Sequence, residues 1–238
     1  MLTIVYDIEF VLSEQHQRFV VPLEPGALCG PEAEPDPQPE WLSLAYQRCA
    51  DCPLERQGGT CPAALSLYPL VKAFSSVVSH EPVTLRVQFG ERRLTMPATA
   101  QQAIGSLAGL LLATSGCPHL AFLRPLARYH VPLAGMEETH LRALSSYLVG
   151  QYLRERFGLQ TDFSAHTLQY WYERLGRLNQ CLANRLRRAT EEDSVVNAVV
   201  LLDMLAKTFS LSLDDIPADV LAVYEPYLTD ADGPGAGF

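Results

Sequence analysis

The sequence predicts an α+β fold, with a two-hairpin sheet and one helix in its N-terminal part and a mostly helical C-terminal half. Three observations predict it. Leu2, Ile4, Tyr6, Ile8 and Phe10 alternate with Thr3, Val5, Asp7 and Glu9, the period of a half-buried strand. Val83, Leu85, Val87 and Phe89 repeat that alternation. After Pro97 the apolar spacing lengthens to the three-and-four pattern of helices.

The elements follow in order. Beyond a polar turn at Ser13, Glu14 and Gln15, the run Arg18-Phe19-Val20-Val21 reads as the hairpin partner of the first strand. Pro22 and Pro25 end it, because proline cannot donate to a strand ladder. Residues 24–40 hold five prolines and several acids and predict an irregular loop. Pro62 suits a first helical turn, and residues 63–78 continue as that helix, with a kink or interruption expected at Pro69. The second hairpin turns at Gly90-Glu91 and returns through Leu94 to Met96.

Helices are then expected at 98–115, 118–129, 137–157, from Asp162 or Ser164 through Leu186, from Asp193 or Ser194 through Phe209, and at 216–227. Gly105 and Gly109, four apart, would let another element approach the first of these closely. Leu141, Leu144, Leu148 and Tyr152 form one candidate apolar stripe. A second stripe holds Leu168, Tyr172, Leu175, Leu178, Leu182 and Leu186. The chain thus divides into a sheet-plus-helix region at 1–97, a helical region at 98–228 packed on it, and a Gly-rich tail at 229–238 expected to be disordered.

With 238 residues and 48% hydrophobic content, the chain can bury a substantial core. A net charge of −9 weighs against general nucleic-acid binding, which needs a basic face to release counterions. The N-terminus meets acid at Asp7 and Glu9 and lacks the basic start of a signal peptide. The most apolar run, 103–113, is about half the ~20 residues a membrane span requires. A soluble, cytoplasmic protein is expected, and in a reducing compartment its six cysteines read as metal ligands or core residues rather than disulfides.

Four of those cysteines carry the chemistry. Cys49, Cys52 and Cys61 form a C-x2-C-x8-C run, and Cys117 stands in Ser115-Gly116-Cys117-Pro118-His119. Proline follows Cys52, Cys61 and Cys117 and holds each cysteine extended. At Cys61 and Cys117 it also places the sulfur at a helix N-terminus, where partial positive charge is expected to lower the thiol pKa. Closely spaced thiols in a polar loop have no packing reason to exist, so a zinc site of Cys49, Cys52, Cys61 and Cys117 is expected, with His119 the rival fourth ligand. Four thiolates suit an iron–sulfur cluster as well. Cys29 and Cys181 read as core or incidental residues; Cys181 lies beside Leu178 and Leu182.

A second cluster comprises Arg124, Arg128 and His130. Two guanidiniums one helical turn apart can grip a carboxylate or phosphate, and His130 could move a proton; the plain alternative is a solvated or salt-bridged helix face. Arg174, Arg177, Arg185, Arg187 and Arg188 give a later helix a basic side, read as surface. No nucleophile elbow, phosphate loop, dinucleotide fingerprint or H-E-x-x-H motif is present, which weakens an enzymatic reading without closing it.

The stretches Cys49-Ala50-Asp51-Cys52-Pro53-Leu54, Cys61-Pro62-Ala63-Ala64-Leu65, the run from Ala113 to Leu120 and the run from Phe122 to His130 resemble the hallmark segments of a bacterial family of uncharacterised proteins. The resemblance spans most of the chain but not the Pro-rich stretch 24–40. It implies a bacterial, soluble protein of about this size and supplies no activity. Three functions remain open: a structural zinc protein whose ion staples loop 41–61 to the turn 116–119 while the helical half binds a protein partner; an enzyme with a small anionic ligand beside the metal; or an iron–sulfur protein.

Overall fold

A computed structural model of the chain describes residues 2–27, 29, 37–54, 58–190, 192–212 and 218–228. Strands β1 (Thr3–Phe10), β2 (His16–Pro22), β3 (Pro82–Phe89) and β4 (Arg92–Thr99) form one antiparallel sheet in the order β2-β1-β3-β4. The register pairs Tyr6 with Phe19 and with Val87, so the apolar residues of three strands share one face. Ile4, Tyr6, Ile8 and Phe10 are buried, as are Phe19, Val21, Val83, Leu85 and Val87. The second hairpin closes through two residues with Gly90 at φ +57°, a left-handed conformation that glycine adopts without steric cost. β4 is an edge strand that runs to Thr99 and carries Pro97, where a missing donor is tolerated.

Seven helices are assigned among the described residues, and 52% of the chain is helical, as an α+β fold dominated by helix requires. Helix α1 (Pro62–Phe74) covers the sheet, with the Phe74 ring 6.0 Å from Phe10 and 5.5 Å from Phe19. It runs unbroken through Pro69 and stops at Phe74 rather than Val78. Leu65, Leu67, Leu70 and Val71 are buried on either side of Pro69, and that packing holds the helix through a residue that removes one backbone bond. The end of α1 is closed from far downstream: Ser194 Oγ donates to the Phe74 carbonyl at 3.1 Å, and the Glu192 N–H to that of Ser75 at 2.8 Å.

α2 (Ala100–Thr114) opens on a capping box between Thr99 and Gln102 and is buried along most of its length. α6 (Ser194–Ser212) crosses it at the two glycines. A Cβ on Gly105 would stand 3.6 Å from the Ala198 carbonyl oxygen, and one on Gly109 3.6 Å from Leu202. The expected close approach is therefore present. Residues 118–128 form a 3-10 segment, Pro118–Leu123, that passes into the short α3 (Arg124–Arg128) instead of one helix.

α4 (Met136–Arg156) buries a different face from the one its leucines suggest. Ala143, Tyr147 and Gln151 point inward, whereas Leu141, Leu148 and Tyr152 are exposed. Polar anchors select that face: Tyr147 donates to Asp162 at 2.9 Å, and Gln151 Oε1 accepts from the Asp162 N–H at 2.9 Å. α5 (His166–Leu186) buries Leu168, Tyr172, Leu178, Leu182 and Leu186 as the stripe predicts. Its N-cap residue is Ala165, at φ +60°, and Asp162, three residues earlier, accepts from the Thr167 N–H at 2.8 Å. α7 (Ala218–Leu228) is the last described element; the expected tail at 229–238 and much of the Pro-rich loop lie outside the described residues. One core cluster joins the sheet, α1 and α2 to α5 and α6. Among the described residues no single helix is long and apolar enough to cross a membrane.

Candidate functional site

The cysteine loop is held by backbone pairing at its root and by arginines along its length. Ser43 and Thr60 form an isolated antiparallel bridge, and the Cys61 N–H donates to the Leu42 carbonyl at 2.9 Å. Arg185, on α5, is 2% exposed and donates to the carbonyls of Trp41 at 2.7 Å and Ser43 at 2.8 Å, with its guanidinium over the Tyr46 ring. Arg48 donates to the carbonyls of Cys52 and Leu54. Arg174 donates to Asp51 at 2.9 Å. The basic side of α5 is thus only partly a surface feature: Arg185 is a buried clamp, and Arg174 docks the tip of the C-x2-C hook.

Cys61 caps α1 with an extended backbone at φ −72°, ψ 114°, and Cys117 caps the 3-10 segment at φ −62°, ψ 126°. The expected effect of proline on the preceding residue is therefore met at both positions. Gly116, at φ +78°, turns the chain between α2 and Cys117, and its close neighbour is the Gly26 backbone.

The four thiols gather in one neighbourhood. Cys117 lies close enough to feel the charge of Cys61 and Cys52, and Cys49 that of Cys61 and Cys117. Among the described residues, however, no three His, Cys, Asp or Glu side chains stand in the arrangement of a closed metal centre. The thiol of Cys117 is pushed up to about 11. Its burial outweighs the backbone N–H groups of His119 and Leu120, which act downward as a helix N-terminus should, while Cys61 and Cys52 repel. The expected lowering at this position is reversed by desolvation.

A fifth cysteine joins them. Cys49 hydrogen-bonds to Cys181, which holds the Cys181 thiol below its ordinary range despite burial, with Arg185 adding to the effect. Cys49 is correspondingly raised, by that hydrogen bond first, then by burial and by its thiol neighbours. Cys181 is therefore not an incidental stripe residue. It sits one turn before Arg185, on the face of α5 that meets the cysteine loop, a neighbour that its place in the helix stripe does not reveal. Cys29 is a core residue, 7% exposed.

His119 is engaged elsewhere. Its Nδ1 meets Arg174 Nη2, and its Nε2 lies 3.6 Å from Asp51. Burial and the Arg174 guanidinium lower its pKa, so the ring is neutral and accepts from arginine. Asp51, His119 and Arg174 thereby join the hook, the 116–119 turn and α5.

The three residues of the second cluster are not brought together. Arg124 and Arg128 are exposed, and the Arg128 guanidinium rests 5.7 Å from the Phe89 ring and 5.5 Å from that of Tyr129. His130 turns inward. Its Nε2 bonds the Tyr6 hydroxyl, which also contacts Ser106 Oγ at 2.8 Å, and the ring borders a cavity of about 470 Å³ between α2, α3, α4, α5 and α6. Burial, reinforced by Arg142, drives the His130 pKa down to about 3. The cation at this cavity is Arg142, whose Nη2 donates to the carbonyls of Leu126 at 3.1 Å and Tyr129 at 2.8 Å.

A family model described as a domain of unknown function, DUF6901, matches residues 4–225. The chain belongs to that family. No curated protein and no solved structure shows significant similarity to it.

Proposed function

We propose that this is a metal-binding protein in which zinc, held by Cys49, Cys52, Cys61 and Cys117, staples loop 41–61 to the turn at 116–119, and that it acts by binding a partner. The observation that supports this reading is that thiols from two distant segments stand close enough to act on one another's charge. The loop that carries three of them buries Trp41, Leu42 and Leu44 at its root and is tied down beyond them by arginines, so four-thiolate coordination would complete its fold. Zinc supplies such a loop with folding free energy and needs no redox chemistry. Apolar side chains exposed along α4 and at its C-cap, among them Val149, Leu153 and Phe157, offer a surface for the partner.

Elemental analysis tests the reading. Protein purified reduced and without chelator should carry about one zinc per chain, as expected for a single four-thiolate site. Cys52→Ser should lose both the metal and much of the stability. Stoichiometric iron with acid-labile sulfide would replace zinc by a cluster, and protein free of both metals would remove the site.

A further inference from the structure

The cavity beside His130 has the make-up of a ligand site, independent of the cysteines, none of which borders it. Its walls are mainly apolar, with Leu123, Leu126, Leu201, Leu202 and Leu205 prominent, and its volume of about 470 Å³ falls within the range of small-molecule pockets. Three of the polar features that border this apolar space bear on a ligand.

Asn179 is the first. It lies in the middle of α5, is 1% exposed, and borders the cavity; among the described residues neither its Nδ2 nor its Oδ1 has a hydrogen-bond partner. A buried amide left without partners costs stability, and natural cores rarely keep one unless something else completes it. Arg142 is the second. Burial lowers its pKa, yet it keeps its charge, and its two described hydrogen bonds both come from Nη2, leaving Nε and Nη1 for another acceptor. No carboxylate is among the residues that line the cavity. The third is the start of α4. Gly135 caps it with no side-chain hydrogen bond, and Gly135, Met136 and Thr139 border the same space, so the positive end of a 21-residue helix meets it.

We infer that this cavity binds a small monocarboxylic acid with an apolar body. The carboxylate sits between Arg142, the Asn179 amide N–H and the start of α4, and the apolar body lies against the leucines of α3 and α6. A guanidinium and an amide are donors that a carboxylate, charged and with two acceptor oxygens, satisfies more strongly than an alcohol with one neutral oxygen. The remaining Asn179 oxygen can take an ordered water. His130, uncharged and bonded to Tyr6, closes the sheet side of the cavity without adding a competing charge.

The test is calorimetric titration of the full-length protein with sodium octanoate and 4-butylbenzoate, with 1-octanol as the uncharged counterpart. One acid should bind at one-to-one stoichiometry and raise the melting temperature by linkage. Arg142→Gln and Asn179→Leu should each weaken acid binding by about tenfold or more, as loss of a charge-assisted or buried hydrogen bond does, and leave octanol unaffected. Asn179→Leu, which keeps the side-chain size and removes the orphaned amide, should fold and melt at or above the wild-type temperature without ligand. It therefore decides the matter even if Arg142→Gln, which frees two carbonyls, is unstable. Binding of acid and alcohol alike, acid binding untouched in Asn179→Leu, or no binding of either acid would overturn the proposal.

Discussion

The cysteine loop and the helical cavity lie on opposite sides of α5 in character as well as in place. The loop has little regular structure, yet among the described residues Arg185, Arg174 and Arg48 together bind Asp51 and the carbonyls of four loop residues. The cavity is built from regular helices, yet Asn179 within it is unanswered among the described residues. Rigid elements left incomplete and an irregular loop made complete are two ways of preparing a site. The first keeps a gap of fixed shape; the second brings thiols near one another without closing them on a point.

The largest expected effect probes the loop's anchor. Arg185→Ala leaves the carbonyls of Trp41 and Ser43 without their donor in a buried setting, which should cost about 2–4 kcal/mol. Urea unfolding measures it, and a loss under about 0.5 kcal/mol would mean the loop is not tied through α5. The same variant should release any bound metal more readily, whereas octanoate binding should be unchanged.

The next prediction probes the cavity side through pH. His130 titrates at about 3 in the fold and at its ordinary value near 6.5 when unfolded. Between those values the unfolded chain binds a proton that the folded one refuses, so stability is full above about pH 6.5 and declines as pH falls toward 3, at up to about 1.4 kcal/mol per unit from this group. Asp162, whose pKa is lowered by hydrogen bonds from Ser164 and Thr167, adds acid sensitivity in the carboxylate range. Unfolding curves at pH 7 and pH 5 should therefore separate in the wild type and separate clearly less in His130→Gln, where the lowered pKa values of His119 and His140 still contribute. Equal separation in both would place the sensitivity elsewhere.

A smaller effect is expected at the loop's outer tie. Arg174 and Asp51 are both partly exposed, so Arg174→Met should cost at most about 1 kcal/mol. It also frees His119 to protonate, so an NMR titration of that ring should move its pKa upward. An unmoved value would show that burial alone holds it down.

These contrasts follow what the sequence can carry. Strand alternation is local, so β1 and β3 were legible from residues two apart. The Gly105–Gly109 pair likewise announced the crossing of α6. The extended backbone at Cys61 and Cys117 was legible because Cys-Pro geometry is local as well. Cys181, Arg185 and Asn179 were not, because nothing within a helix stripe marks which neighbour a side chain will meet. The leucines of α4 misled for a related reason. Hydrophobic spacing favoured one face, but the hydrogen bonds of Tyr147 and Gln151 to the residue 162 turn chose another. The cavity belongs to the same class: its five helices are contiguous only in space.

The central claim is that four thiolates close on one ion. X-ray absorption at the zinc edge of the zinc-bearing, full-length protein tests it most directly. The account predicts a shell of four sulfurs at about 2.3 Å and no nitrogen. A shell containing a nitrogen at about 2.0–2.1 Å, or fewer than four sulfurs, would contradict it.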